Sequence, residues 1–327
     1  MRTPKIRDAQ GNIYPYSIAE IIKLNIGGVE QYLMIRGKNI QNPILLFVHG
    51  GPGQAEIGYI RTYQKTIEEH FTVVRWDQRG AGLSYSKSIP QDTFTIDVFR
   101  ADLNEVTDYL IQRFNQPKII IAGHSWGTVL ATYSAKDCPN KYMAYIGIGQ
   151  VVNSMEAERI SYHYVKDEAE MQNNKKVLRE LENIGEPPHS EKEAFIRANC
   201  QGRIGGITKQ NPPKSIVSSL IVSTEYNFIH KLNYFKSCIS SAKTMYSQVM
   251  KIDFLKELKQ LDIPIFFIAG KYDFITPTSL VQKFYDELNA PKKELIVFKN
   301  SGHLPQLEEC EQFAETLIQI RTTLINI

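Results

Sequence analysis

A glycine-rich pentapeptide, Gly123-His-Ser-Trp-Gly127, constrains this chain more than any other feature of its sequence. It follows an apolar run at 118–122 and precedes a helix-like stretch at 128–136. Between a strand and a helix, such a pattern predicts a sharp turn that exposes Ser125 at the end of the strand. Turns of this kind occur where parallel strands alternate with helices, so the pentapeptide predicts an α/β fold.

Continuous apolar runs, as strands buried on both faces of a parallel sheet require, recur on either side of the pentapeptide. The clearest lie at 43–48, 71–76, 118–122, 263–269 and 294–298. Between 94 and 114, apolar residues recur at spacings of three and four, which predicts an amphipathic helix packed on the sheet. Two β-type runs from residue 19, separated by Gly27-Gly28, predict a hairpin. Together these patterns predict a mostly parallel sheet flanked by helices.

The alternation of strands and helices stops near residue 150 and returns near residue 263. Between them, polar helix-forming segments dominate and Pro187-Pro188 interrupts them. We therefore predict an inserted helical cap, or lid, at 151–250, with the core formed by 1–150 and 251–327. A chain of 327 residues can accommodate one large α/β domain with such an insertion.

Composition narrows the classes of function and partner. The formal net charge is +3 and the lysines are scattered, so no basic face indicates nucleic acid or a membrane as a partner. No apolar run approaches the length of a membrane span, and the first residues lack the apolar region of a signal peptide. We therefore expect a cytoplasmic protein. The sequence does not indicate an oligomeric state.

The four cysteines do not suggest a metal site. They lie at 138, 200, 238 and 310, without C-x-x-C spacing and without histidines at ligand spacing. We expect reduced thiols and no metal.

Two further residues complete a pattern for nucleophilic catalysis. Asp273 and His303 each come just past the end of a predicted strand, and the carboxyl ends of parallel strands meet at one edge of a sheet. A serine hydroxyl needs a base to remove its proton and a third group to orient that base. The order Ser125, Asp273, His303 therefore predicts a catalytic triad with Ser125 as the nucleophile.

An oxyanion hole is predicted from two backbone N–H groups. One belongs to Trp126, directly after the nucleophile, and the other to Gly51 in the loop His49-Gly-Gly-Pro-Gly53. His49 could instead be the base, but it lies on this loop and no carboxylate follows it in the expected order. We therefore interpret His49 as structural, and His124 as a packed residue of the turn.

The segment Asp77-Gln-Arg-Gly80 follows the second predicted parallel strand. Its Asp77 and Arg79 could be catalytic, but we expect them to form an ion pair that stabilises the turn near the site.

Taken together, these motifs resemble those of the prolyl aminopeptidase (proline iminopeptidase) family of α/β-hydrolases. The motifs are His49-Gly-Gly-Pro-Gly53, Asp77-Gln-Arg-Gly80 with Gly82 and Ser84, Gly123-His-Ser-Trp-Gly127, Gly270-Lys-Tyr-Asp273 and Gly302-His303. The resemblance covers about 40–150 and 260–327. It implies the α/β-hydrolase fold and release of an N-terminal residue, often proline, from short peptides. The implied route runs through an acyl-enzyme without metal or organic cofactor.

The resemblance also suggests a binding residue and leaves alternatives open. The family anchors the substrate ammonium on glutamates of the cap, and Glu225 in Ser223-Thr-Glu-Tyr-Asn-Phe228 resembles one such anchor. His124 stands where the family commonly has glycine, as in general esterases, so a carboxylesterase or amidase acting on small acyl substrates is the alternative. A non-catalytic binding protein of the same fold is a third reading, which the complete set of triad residues disfavours.

Overall fold

The apolar runs of the sequence form one eight-stranded sheet in the computed structural model, which describes residues 1–212 and 215–325. Its strands are β1 (Ile18–Ile26), β2 (Val29–Gly37), β3 (Ile44–Val48), β4 (Thr72–Asp77), β5 (Ile119–His124), β6 (Tyr142–Ile148), β7 (Ile265–Gly270) and β8 (Lys293–Phe298). Their order across the sheet is β1-β2-β4-β3-β5-β6-β7-β8. The pairs β1–β2 and β2–β4 are antiparallel, and the other neighbours are parallel. This is the mostly parallel sheet that the sequence predicts.

The first two strands form the predicted hairpin. Gly27 and Gly28 make its turn with φ values of 53° and 76°, a left-handed conformation that glycine adopts without steric cost. The central strands β3 and β5 are buried at every residue, as parallel strands covered on both faces should be.

Helices cover both faces of the sheet. They are α1 (Ile67–His70), α2 (Ile96–Phe114), α3 (Trp126–Asp137), α4 (Ser154–Met171), α5 (Lys175–Ile184), α6 (Glu191–Ile204), α7 (Ile216–Val222), α8 (Phe228–Val249), α9 (Phe254–Glu257), α10 (Thr278–Glu287), α11 (Pro305–Glu308) and α12 (Cys310–Ile325). Apolar residues of α2, α3 and α10 pack in one core on one face, and those of α1 and α12 pack in a second core on the other. The predicted helix at 94–114 corresponds to α2, whose Phe99, Leu103, Val106 and Leu110 are buried.

The stretch between β6 and β7 contains α4 to α9. Val165, Val177, Leu181 and Cys200 of α4, α5 and α6 form a small core of their own. Tyr226 and Tyr234, by contrast, pack with residues of the loops that follow β3 and β4. The division of the chain into a core and a cap stays a prediction.

Among the residues that the structure describes, no helix is both long and apolar enough to cross a membrane.

Candidate active site

Ser125 occupies a strained turn between β5 and α3. Its φ of 52° and ψ of −121° are rare for a residue with a side chain, and such strain is a feature of functional sites. The Ser125 N–H donates to the carbonyl of Ile148 at 2.9 Å, which ties the turn to β6. A Cβ at Gly127 would overlap the carbonyl oxygen of Val48, so only glycine allows α3 to begin so close to β3. The turn therefore presents Ser125 at the carboxyl edge of the sheet.

Asp273 and His303 form a buried pair at the same edge, beyond β7 and β8. The Nδ1 atom of His303 donates to Oδ2 of Asp273 at 2.8 Å. The backbone N–H groups of Ile275 and Thr276 donate to Oδ1 of Asp273 at 2.8 and 2.9 Å, and the Thr276 hydroxyl donates to Oδ2 at 2.7 Å. These bonds fix the carboxylate. Because Nδ1 is the donor, Nε2 is left to accept a proton.

The pair lies next to the turn that carries Ser125. The ring of His124 has its centroid 4.9 Å from that of His303, and its Nε2 donates to the backbone carbonyl of His303 at 2.9 Å. Thr276, whose hydroxyl oxygen lies 3.2 Å from His303 Nδ1, lines a cavity together with Ser125. The structure thus brings the three residues predicted as a triad to one edge of the sheet.

The two predicted oxyanion donors also lie at this cavity, which has a volume of about 160 Å³. Gly51 and Trp126 both line it with Ser125. A Cβ at Gly50 would lie 3.2 Å from the Cβ of Ser125, so the backbone of the loop after β3 is packed on the turn.

Gln78 connects this loop to α3, a role that the sequence analysis missed. Its Nε2 donates to the carbonyl of His49 at 2.9 Å, and its Oε1 accepts from the indole N–H of Trp126 at 3.0 Å. The side chain of Gln78 is fully buried. The segment Asp77-Gln-Arg-Gly80 marks this region in the sequence, but nothing in it distinguishes Gln78 as a residue that joins two elements.

His49 and His124 have the surroundings of structural residues. Desolvation by burial lowers the pKa of each ring to about 4. The Nδ1 atom of His49 donates to the carbonyl of Gly50, and its Nε2 accepts the backbone N–H of Gln78 at 3.2 Å. Both rings are therefore neutral near pH 7.

The predicted ion pair between Asp77 and Arg79 is wrong. Arg79 forms a bidentate salt bridge with Asp102 of α2, and both N···O distances are 2.9 Å. Asp77 instead accepts the N–H of Leu83 at 2.9 Å and the hydroxyl of Tyr226 at 2.5 Å. Burial raises the pKa of Asp77 to about 7. Asp102 is 23 residues from Arg79 along the chain, and Tyr226 is 149 residues from Asp77. Proximity in the sequence therefore did not predict the partners.

The carboxylate of Glu225 is bonded to Arg61 and to the N-terminal segment. Its Oε1 accepts from Nε of Arg61 at 2.6 Å and from the hydroxyl of Thr3 at 3.0 Å, and its Oε2 accepts the N–H of Thr224. It is not among the described residues that line the cavity. These contacts tie the N-terminal segment to the rest of the chain, and an anchoring role for Glu225 gains no support from them.

Another carboxylate, that of Glu158, lines the cavity. Its Oε1 accepts from Nε of Arg197 at 3.0 Å and from Nδ1 of His189 at 2.9 Å, and its Oε2 accepts from Nη2 of Arg197 at 3.1 Å. Arg197 lines the cavity as well. The sequence analysis missed both, although Glu158 lies four residues after Ser154 and four before Tyr162 on the buried face of α4.

Within 1–212 and 215–325, no three histidine, cysteine, aspartate or glutamate side chains come together as a metal site.

Comparisons with known proteins agree with this architecture. The chain is 36% identical to the "Probable aminopeptidase YbaC" of Bacillus subtilis over 304 residues, which cover 92% of this chain and 96% of that protein. It is 25% identical to a proline iminopeptidase of Clostridium botulinum over 280 residues, covering 84% and 87%. The crystal structure of a proline iminopeptidase from Mycobacterium smegmatis superposes with a TM-score of 0.67 at 16% identity, over 93% of this chain and 98% of that one.

The family model described as the alpha/beta hydrolase fold matches residues 43–309. A match of this extent, together with the eight-stranded sheet and its turn at Ser125, shows that the chain belongs to the α/β-hydrolase fold family.

Proposed function

We propose that the chain is a serine hydrolase in which Ser125, His303 and Asp273 form a catalytic triad. The observation that carries the proposal is the strained turn of Ser125 at the sheet edge that also holds the Asp273–His303 pair. In this mechanism Ser125 Oγ attacks the substrate carbonyl while Nε2 of His303 takes the hydroxyl proton. Asp273 holds the ring by its Nδ1–H and stabilises the imidazolium that forms.

The reaction would pass through an acyl-enzyme. The N–H groups of Gly51 and Trp126 are proposed to donate to the oxyanion of the tetrahedral intermediate. His303 then gives its proton to the leaving amine or alcohol, and the C–N or C–O bond breaks to leave an ester on Ser125. Water, deprotonated by His303, releases the acid and restores the serine. Every step uses groups of the chain itself and needs no metal or organic cofactor.

We infer that the preferred substrate is a short peptide with an N-terminal proline or small apolar residue. The names of the relatives support this reading, as does the cavity. Its volume of about 160 Å³ is below the roughly 300–1,000 Å³ of pockets for larger ligands. Val151, Val152, Pro277 and Leu280 give it apolar walls, which suit a small apolar side chain.

Within this proposal, residues 151–250 act as a cap over the core formed by 1–150 and 251–327. Glu158 and Arg197 bring charged groups of this segment to the cavity of Ser125, and Val249 lines it too. We do not include Glu225 as an anchor, because Arg61 and Thr3 already bond its carboxylate and it is not among the described residues that line the cavity.

Glu158 is our candidate for contact with the substrate ammonium. A carboxylate offers about four acceptor positions, and Arg197 with His189 fills three of them. The remaining position on Oε2 can accept one N–H of an α-ammonium. Because Arg197 neutralises much of the charge of Glu158, the attraction is weaker than that of a lone buried carboxylate.

The same ion pair favours a second candidate function. With Glu158 paired to Arg197, the cavity suits an uncharged acyl group, which an esterase or amidase would accept. The two functions differ in what they require beside the scissile carbonyl, a free ammonium or none.

One assay separates them. Hydrolysis of prolyl and alanyl amides, their N-blocked counterparts and p-nitrophenyl esters is measured with the wild-type protein. An aminopeptidase should cleave the free amides and reject the blocked ones, whereas equal rates on both would favour the esterase or amidase. Ser125→Ala should abolish labelling by a fluorophosphonate and reduce turnover to the low rate that substrate binding and the oxyanion hole alone support. Wild-type labelling of this variant would show that the nucleophile is another residue.

A further inference from the structure

Helix α8 carries a row of bulky apolar residues on its exposed face. The face turned toward the protein carries two serines between Tyr234 and Met245, and its buried residues are Tyr234, Ser237, Ser241 and Met245. The opposite face carries large apolar side chains at helical spacing, namely Phe228, Leu232, Phe235 and Ile239, which are 73%, 64%, 57% and 57% exposed. A helix at the surface of a globular protein ordinarily shows the reverse arrangement.

Helix α7 extends this apolar surface. Lys231 of α8 donates to the carbonyls of Ile221 and Ser223 at 2.7 and 2.8 Å, so the end of α7 lies beside the first turns of α8. The exposed apolar residues of both helices together form what we call the α7–α8 face: Val217, Ile221, Val222, Phe228, Ile229, Leu232, Phe235 and Ile239.

The size of the α7–α8 face matches that of a protein interface. All eight side chains are at least half exposed. If full exposure is about 150–200 Å² for each, they present roughly 900 Å² of apolar surface. The largest apolar patch of a typical monomer is roughly 300–600 Å², whereas one side of a standard protein interface buries about 800 Å².

The charges around the α7–α8 face distinguish between two partners that could cover it, a lipid bilayer and another protein surface. From 215 to 249 the only acidic residue is Glu225, which is buried, and the lysines are Lys231, Lys236 and Lys243. Lys231 caps α7, and Lys243 lies 3.8 Å from Glu191. A helix that lies on a bilayer presents a strongly cationic polar face, but here Lys236 is the exposed lysine without an acidic partner among the described salt bridges. A low density of charge around central aromatic residues is instead the composition of a homodimer interface.

We propose that a second copy of this chain covers the α7–α8 face in an isologous dimer. In such a contact the same patch on both copies meets across a two-fold axis, so each Phe235 and Leu232 is buried by the apolar face of the other copy. The proposal does not depend on the catalytic function.

The test is the oligomeric state of the full chain. Light scattering and sedimentation over a wide range of concentration should give twice the mass of the chain for the wild type. The double variant Leu232→Glu, Phe235→Glu places charges at the centre of the contact and should raise the dimer dissociation constant by at least about a hundredfold. Met171→Glu, at an exposed methionine (69%) at the end of α4, is the control and should leave the dimer intact.

A second measurement does not require a variant that folds. In a mixture of isotope-labelled and unlabelled wild-type chains, amine cross-linking should give mixed-label products through Lys236. The proposal is overturned if the wild type is monomeric at every concentration, or if the double variant is folded and still dimeric. Monomers that sediment with phosphatidylserine vesicles would assign the face to a lipid surface instead.

Discussion

Removing Gln78 tests whether the geometry of the loop after β3 determines turnover. Gln78→Ala deletes the donor to the carbonyl of His49 and the acceptor for the indole N–H of Trp126. Each buried polar group left without a partner costs about 1–3 kcal/mol, so we expect the free energy of unfolding to fall by about 2–6 kcal/mol.

The effect on turnover follows from the neighbours of Gln78. Loss of one oxyanion donor costs about 2.7–4 kcal/mol of transition-state stabilisation. Gln78→Ala loosens the loop of Gly51 without removing the donor, so only part of this should be lost. We expect kcat/KM for a p-nitrophenyl ester to fall by about ten- to a hundredfold, or about 1.4–2.7 kcal/mol.

Gln31 provides a matched control. It is also buried, its Oε1 accepts the indole N–H of Trp76 at 2.8 Å, and its Nε2 donates to Asp102 at 2.6 Å. Gln31→Ala should lower stability to a similar extent while kcat/KM per folded molecule stays near the wild-type value. Both variants are assayed where urea titration shows them folded. Equal losses of kcat/KM in the two variants would refute the argument, as would a Gln78→Ala enzyme within twofold of wild type.

The remaining predictions concern substrate binding, pH and metal. Glu158→Gln should lower kcat/KM for free prolyl amides by about tenfold, or about 1.4 kcal/mol, and scarcely change kcat/KM for esters. Glu225→Gln should change kcat/KM for amides and esters by the same factor. The reverse pattern would assign the anchoring role to Glu225. Burial lowers the pKa of His49 below its unfolded value, so its contribution to stability should be lost as pH falls from about 6.5 to 4. Urea titrations in that range should show a flatter pH dependence for His49→Gln. For Asp77 burial raises the folded pKa to about 7, so its contribution to stability is lost as pH rises from about 3.8 to about 7. Asp77→Asn should therefore make the free energy of unfolding rise more steeply with pH. Activity should survive exhaustive EDTA treatment, and a loss restored by zinc or manganese would contradict the metal-free mechanism.

The sequence by itself determined the sheet and the place of the candidate site. Continuous apolar runs identify strands buried on both faces, because a parallel sheet covered by helices leaves no polar face. The carboxyl ends of these strands meet at one edge, so the positions of Ser125, Asp273 and His303 just after them were enough to predict their convergence. Glycine at 127 is required by the close approach of α3 to β3, which is why the pentapeptide was so informative.

The tertiary structure alone decided the partners of the buried polar residues. Arg79 pairs with Asp102, Gln78 joins His49 to Trp126, and Glu225 bonds to Arg61, all across elements that sequence patterns do not bring together. A side chain of this kind bonds whichever group packing places within about 3 Å, and that distance depends on the assembled fold.

Helix α8 shows the same limit for apolar residues. The spacing of Phe228, Leu232, Phe235 and Ile239 indicates one apolar face, and periodicity would assign that face to the core. In the structure the serines of α8 face inward instead, where Ser241 lies against Gly53, and the apolar face points outward. Periodicity determines which residues share a face, but only the space left by neighbouring elements determines which face is buried.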